Sequence, residues 1–436
     1  MSDLLERLEG ELTRKERDRS HLDPEEQFRF LAAKSKQILP EDVVLARLRE
    51  SRKTGKPLVV KLGVDPTSPH LHLGHAVPLF LLRRFQDLGH HVILLVGDFT
   101  ARIGDPAGRI AERPPLTETQ IEENFATYRQ QAGKILDMER VEIRHNSEWL
   151  EGIQLAGLLA TLKGINVSAS LQREDFRERI EKGHSLTLAE VLYSVLMGLD
   201  SVALDPDIEI GGVDQLLNLQ MCRQVMEIEG MDPEGIVVTD ILEGVSGDGS
   251  KMSKSLGNAV ALEDPPEEIY GKVMSIPDRL LESYFMLLTE IRSADWAELA
   301  AGMEKGALNP RDVKACLARI VVTLLHDAGA ARAAEAHFEE IFRRRRFPDD
   351  MPSIRVGRSE WKDLSLVDVL ERAGVIASRS EGRRLFAQGA VRWLPEGAAE
   401  GDFVKLETEG LPAPAGKGIL KVGKRKFVRV LPEGDA

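Results

Sequence analysis

Cysteine is nearly absent from this 436-residue chain, which has only Cys222 and Cys316, far apart in sequence. So distant a pair gives neither a disulfide framework nor a zinc site, and both read as reduced core residues of a cytoplasmic protein. Long apolar runs are missing too. The longest, "PLFLL" and "VILLVG", fall well short of the roughly 20 residues a membrane-crossing helix needs, so no membrane partner is expected. The N-terminal stretch "MSDLLERLEGELTRKERDRS" is charged throughout without the apolar centre of a secretory signal, and export is not expected. Neither GxxxxGK[ST] nor GxGxxG occurs, so the usual phosphate-binding loops are excluded. Internal repeats and long low-complexity tracts are also absent.

With 42% hydrophobic and 30% charged residues, the chain has the composition of a globular protein of two or more domains. Its net charge of −13 speaks against a nucleic-acid partner until the distribution is considered. From Ala413 to Leu431 there is no acidic residue, while Lys417, Lys421, Lys424, Arg425, Lys426 and Arg429 fall there; Arg343 to Arg346 form a second basic knot. Either is a nucleic-acid surface or an ordinary solvated face.

Residues 1–55 read as amphipathic helices without strands. From 56 to 262, short apolar runs ("LVVKLGV", "HVILLVG", "IVVTDIL") alternate with helical periods, which predicts a parallel sheet with crossover helices. A mostly helical stretch at about 114–204 interrupts that alternation as an insertion. Helices dominate 263–347, and 348–362 is a linker with turn residues. Residues 363–436 form a small mixed unit in which "ILKVGKRKFVRVL" reads as one strand with a basic face.

"HLHLGH", His70 to His75, raises the question of metal. The spacing of three between His72 and His75 is not that of HExxH, and no nearby glutamate or thiolate completes a ligand set. Surface or capping histidines are the plain alternative. Position favours a third reading, because these residues open a helix at the carboxyl edge of the first sheet strand, where open α/β sheets bind ligands and helix N-termini attract phosphate. The cations that phosphate requires appear in "DGSKMSKSLGN", Asp248 to Asn258. Alone, this is a solvated lysine turn.

Together, His72-Leu73-Gly74-His75 and Lys251-Met252-Ser253-Lys254-Ser255 resemble the two signatures of class I aminoacyl-tRNA synthetases. The blocks "LGVDPTSPHLHLGH", "LVGDFTARIGDPAG", "LYSVLMGLDSVAL" and "IEIGGVDQLLN" are similar to those of the bacterial tyrosyl-tRNA synthetase family, and the likeness covers nearly the whole chain. "SRSEGRRLFAQGAVRW", from Ser378, resembles a small RNA-binding module shared with a ribosomal protein. The resemblance implies a Rossmann-like catalytic domain with a helical insertion, a helical anticodon-region domain and a terminal α+β RNA-binding module. It also implies ATP with Mg2+, L-tyrosine and tRNA(Tyr) as ligands, and a homodimer, for which "LAGLLATLKGINVSASL" is an interface candidate.

Residue by residue, the resemblance assigns His72, His75, Lys251 and Lys254 to catalysis. It assigns Gly63, Asp65, Thr67, Gly74, Gly212, Asp214, Lys254 and Ser255 to ATP; and Asp105, Tyr193, Asp200 and Gln215 to tyrosine. Arg379, Arg383, Arg384, Lys424, Arg425 and Lys426 are the candidates for tRNA. Carboxyl activation builds negative charge at phosphorus as pyrophosphate leaves, so preorganised cations and hydrogen-bond donors are the natural catalyst, with no dedicated metal cage required.

Met197 departs from the family pattern, which has glutamine there to help hold the amino group, and Leu199 stands where an aromatic is common. Either the pocket has changed, giving a synthetase of altered amino-acid specificity, or the two simply repack one helix face. A nonacylating sensor of amino acid and ATP is a further alternative, opposed by the intact Lys251 and Lys254. A dedicated RNA-binding role would call for a long basic insertion that is not seen. Lys61, at a position where relatives carry tyrosine, faces either the phenol or the opposite layer.

Overall fold

The computed structural model describes residues 2–14, 18–105, 117–171, 174–254, 256–340, 351–357, 364–376, 378–395, 403–406, 417–423 and 426–432. They divide into two compact units, Met1–Glu335 and Ala336–Ala436. No helix among the described residues is long and apolar enough to cross a membrane.

The first unit is built on strands β1 (Gln37–Leu39), β2 (Val59–Val64), β3 (His91–Val96), β4 (Val141–His145), β5 (Ile208–Gly212) and β6 (Gly235–Thr239), in the spatial order β1-β6-β5-β2-β3-β4. All pairs are parallel except β1 with β6. The expected parallel sheet is therefore present. From β2 the chain runs outward through β3 and β4, then returns to β5 and β6 on the other side. That reversal opens a crevice between the carboxyl ends of β2 and β5, the place where doubly wound sheets bind ligands. Central strands are apolar because helices cover both faces; the helix Leu73–Asp87 buries Leu73, Ala76, Val77, Leu79, Leu81 and Phe85.

Two expectations fail in this unit. Residues 1–55 are not purely helical, since β1 lies among them, and the insertion contains β4. Both strands are at sheet edges, where a short or half-polar segment suffices: β1 has three residues and every residue of β4 is only half-buried.

The second unit carries β7 (Ser353–Val356), β8 (Val391–Pro395), β9 (Val404–Lys405), β10 (Gly418–Val422) and β11 (Lys426–Pro432), in the order β7-β11-β10-β8-β9. Helices Leu366–Arg372 and Arg379–Ala387 accompany them, with Val367, Leu370, Val391, Trp393, Leu420 and Val428 in its core. The stretch expected as one terminal strand is instead the hairpin β10–β11, and the supposed linker supplies β7, parallel to β11.

Candidate functional site

His72 is the N-cap of the helix Leu73–Asp87. Gly74 N donates to His72 Nδ1 at 3.2 Å, and His72 N donates to His75 Nδ1 at 3.2 Å, a reciprocal capping box made by two imidazoles. The rings stack with centroids 3.8 Å apart. Both Nδ1 atoms accept, so in the neutral tautomer each ring carries its proton on Nε2. Burial holds His72 down at about 3, helped by His75, Lys254 and Lys251. Desolvation in the cleft holds His75 at about 4, with Lys254 and Lys251 acting in the same direction.

The lysine segment reaches these histidines through paired backbone. Leu73 N donates to Val260 O at 2.9 Å and Leu262 N to Leu71 O at 3.0 Å, an antiparallel bridge of His72 with Ala261. Glycine at 74 is a packing requirement: a Cβ there would lie 3.0 Å from the His72 ring and 3.6 Å from Met252 Cβ. Lys251 Nζ lies 3.7 Å from Asp214 Oδ2, which brings "GGVDQ" to the same place. Gly212 has Asp214 folded over it, with Oδ1 2.5 Å from where a Cβ would be. Gly63 faces open space at the end of β2, and Thr67 N donates to Asp65 O at 2.7 Å to close the turn. Ser255 lies outside the described residues.

Tyr193 and Asp200 sit on the helix Leu188–Leu204, seven residues apart and hence on one face. Tyr193 OH donates to Asp65 Oδ2 at 2.9 Å, and Thr100 Oγ1 donates to Asp65 Oδ1 at 2.9 Å. Asp65, expected beside ATP, thus has both oxygens engaged by Tyr193 and Thr100. Gln215 Nε2 donates to Asp105 Oδ2 at 2.7 Å, and Asn218 Nδ2 to Gln215 Oε1 at 2.8 Å. The four residues expected around tyrosine therefore form two bonded groups and Asp200. Asp200 is buried, and its carboxylate accepts from Trp149 Nε1 at 2.8 Å and from Asn146 Nδ2 at 3.3 Å. Burial pushes it up to about 7, against the pull of Lys61, Trp149 and Asn146.

Trp149, Asn146, Thr100 and Asn258 are site residues that motif reading missed. Asn146 Nδ2 also donates to Thr100 Oγ1 at 3.0 Å, which joins the surroundings of Asp200 and Asp65 into one network. Asn258 Oδ1 accepts from Ser253 N at 2.7 Å, while its Nδ2 donates to Ser250 Oγ at 3.0 Å and Lys251 O at 3.3 Å. The one available signal is position: Asn146 and Trp149 follow the carboxyl end of β4, and Thr100 that of β3. Met197 packs against Leu219, Ile236 and Val238, as the repacking alternative requires. Lys61 is fully buried among Glu209, Glu234 and Ser201. Among the described residues, the one grouping of potential metal ligands is Glu209, Cys222 and Glu234.

In the second unit, Arg383 and Arg384 are exposed. Arg379 is paired with Asp368 and Glu371, and Lys426 Nζ donates to Val375 O at 2.7 Å. Lys424, Arg425 and the run Arg343 to Arg346 lie outside the described residues.

A family model described as tRNA synthetases class I (W and Y) matches residues 53–343. The tyrosine–tRNA ligase of Thermotoga maritima is 42% identical over 407 residues, 93% of this chain and 98% of that one. That of Bordetella pertussis is 43% identical over 394 residues, 90% and 93% of the two chains. Of solved structures, a C-terminally truncated Aspergillus nidulans mitochondrial tyrosyl-tRNA synthetase matches with a TM-score of 0.60 at 22% identity, covering 78% of this chain and 99% of that one. The Archaeoglobus fulgidus tyrosyl-tRNA synthetase complexed with L-tyrosine matches with a TM-score of 0.56 at 23% identity, over 72% and 99%. At these identities the structural likeness is one of fold.

Proposed function

The chain belongs to the class I tRNA synthetases (W and Y) and has the activity of a tyrosine–tRNA ligase; on that premise we propose how its crevice carries out the reaction. The observation that carries the reading is the backbone pairing of Leu71–Leu73 with Val260–Leu262, which holds the imidazoles of His72 and His75 beside Lys251 and Lys254. Tyrosine lies with its amino group among Asp65, Asp105, Tyr193 and Gln215 and its hydroxyl at Asp200. ATP lies over Gly63, Thr67, Gly74, Gly212 and Asp214. The tyrosine carboxylate attacks the α-phosphorus, and pyrophosphate departs. Neutral His72 and His75 donate from Nε2 to phosphate oxygens, while Lys251 and Lys254 take the growing charge of the leaving group. The 3′-terminal hydroxyl of tRNA(Tyr) then attacks the carbonyl of tyrosyl-adenylate and displaces AMP.

Mg2+ accompanies the triphosphate. Glu209, Cys222 and Glu234 do not suit it, because Lys61 already supplies the cation between the carboxylates. Asp214, at the crevice, is near Lys251 instead. The dimer interface is the insertion, where Leu155 (70% exposed), Val167 and Leu188 are left uncovered within the unit. Helices beyond residue 263, together with Arg383, Arg384, Arg379 and Lys426, meet tRNA; Lys424 and Arg425 belong to the same proposed surface. Phosphate contacts of this kind position RNA without selecting sequence. The setting is cytoplasmic, in keeping with two free, buried cysteines.

Amino-acid-dependent ATP–pyrophosphate exchange tests the reading. Tyrosine supports exchange, and phenylalanine, lacking the hydroxyl, does not; tyrosyl enzymes are themselves the standard example of such rejection. Exchange with a nontyrosine substrate alone, or with none, would overturn it.

A further inference from the structure

Next to the phenol end of the pocket lies a buried charged cluster that neither reaction step uses. Strand register sets Lys61 on β2 opposite Glu209 on β5. The Lys61 ammonium is 3.0 Å from Glu209 Oε1 and 3.9 Å from Glu234 Oε2, and it donates to Ser201 Oγ at 2.6 Å. Ser201 Oγ in turn donates to Glu234 Oε1 at 2.8 Å. Glu209 Oε2 and Glu234 Oε2 are buried with no other partner. One proton resolves both: burial and the neighbouring Glu209 hold the Glu234 carboxyl well above its usual range, so its O–H donates to Glu209. The cluster then carries one positive and one negative charge.

A buried ion pair of this kind is poor evidence for stability, because apolar replacements are often neutral or better. Its placement points to another use. Ser201, which receives the Lys61 hydrogen bond, directly follows Asp200 in the helix. We propose that Lys61 is a positioning residue for tyrosine recognition, fixing the Asp200 segment through Ser201 and keeping the Asp200 carboxylate charged to accept the phenol hydroxyl. The inference rests on Asp200 being that acceptor. Lys61 is the strongest influence opposing the effect of burial on Asp200. The other groups facing Asp200 are Asp65 beyond β2, Trp149 and Asn146 beyond β4, and Tyr193 on its own helix. Asp65 is the charged one, and its sign opposes that of Lys61.

The test compares wild type, Lys61→Met with Glu209→Gln, and Asp200→Ala in pyrophosphate exchange from pH 6 to 9. The double variant removes both charges together, so no lone carboxylate is left buried, and circular dichroism checks its fold. In wild type, tyrosine KM rises as pH falls through about 7. In the double variant this midpoint moves up by about one pH unit, so tyrosine KM rises roughly fivefold at pH 7 and roughly tenfold at pH 6 while the KM for ATP stays constant. A purely structural role would leave the midpoint in place, and a folded double variant with an unmoved midpoint overturns the role of Lys61. If Asp200→Ala still discriminates tyrosine from phenylalanine, the acceptor reading falls and this inference with it. If it loses discrimination while the double variant keeps its midpoint, only the inference falls.

Discussion

Replacing Asp200 by Asn should stabilise the protein while harming its choice of amino acid, and the gain should depend on pH. Burial raises the carboxyl from 3.8 to about 7. A group raised in the folded state contributes stability that is full below about pH 4 and is lost as pH rises through about 7. Over that interval the loss is about 4 kcal/mol. Asparagine never ionises, so it avoids this loss. It cannot accept from both Trp149 and Asn146 on separate atoms, which leaves one buried donor unmatched at a cost of about 1 kcal/mol. The net gain near pH 8 is then about 3 kcal/mol. Unfolding entropy of about 2.1 cal/mol/K per residue over Met1–Glu335 makes this roughly 4 °C in Tm. At pH 5 most of the penalty is gone, and the two proteins should melt within roughly 1–2 °C of each other. Scanning calorimetry without ligands, at pH 8 and pH 5, checks both limits. Equal melting at pH 8, or a gain of the same size at both pH values, would refute the claim that a buried charge is being maintained for function.

Lys254→Ala should lower the exchange rate by roughly a hundredfold while equilibrium dialysis finds tyrosine binding unchanged, because its charge is needed as pyrophosphate leaves. Gly97→Ala would place a Cβ 2.0 Å from Asp65 Oδ1 and 2.4 Å from Thr100 Oγ1; displacing Asp65 should raise tyrosine KM about tenfold or more, with the KM for ATP little altered. With His72 neutral above about pH 3 and His75 above about pH 4, the exchange rate at saturating substrates should show no imidazole inflection near pH 6.5. An inflection there that disappears in His75→Gln would contradict the neutral-donor role.

The readily legible strands were those that are buried on both faces. "LVVKLGV" and "HVILLVG" are apolar because neighbours cover them, and each became a central strand. β4, "VEIRH", is half-polar because it closes one edge, and no period in its five residues separates it from loop. The two signatures were legible for a chemical reason: their residue types suit a triphosphate, and their order on strand ends and turns suits the crevice. Residues that hold the signatures in place were not legible. Asn146, Trp149 and Thr100 meet Asp65 and Asp200 only because β3 and β4 end beside one another. Strand alternation leaves two faces open to Lys61, and it is the register of β2 with β5 that sets it against Glu209.

Hydrogen bonds to Asn258 distinguish the two lysines of the second signature. Lys251 lies inside the Asn258 clamp, its carbonyl bonded to Asn258 Nδ2, and the next residue is tied back by Met252 N to Leu242 O at 3.1 Å. Gly244 must be glycine for this clamp to exist, since a Cβ there would lie 2.2 Å from Asn258 Nδ2. Lys254 lies beyond the bond from Ser253 N, on a turn closed by Gly257 N to Lys254 O at 2.9 Å, with Gly257 at φ +65°. Moving the backbone at Lys251 therefore requires breaking the clamp, whereas the backbone at Lys254 lies outside it. An anchored backbone suits Lys251 to a charge present throughout the reaction; a backbone outside the clamp suits Lys254 to a group that closes over pyrophosphate and then lets it go.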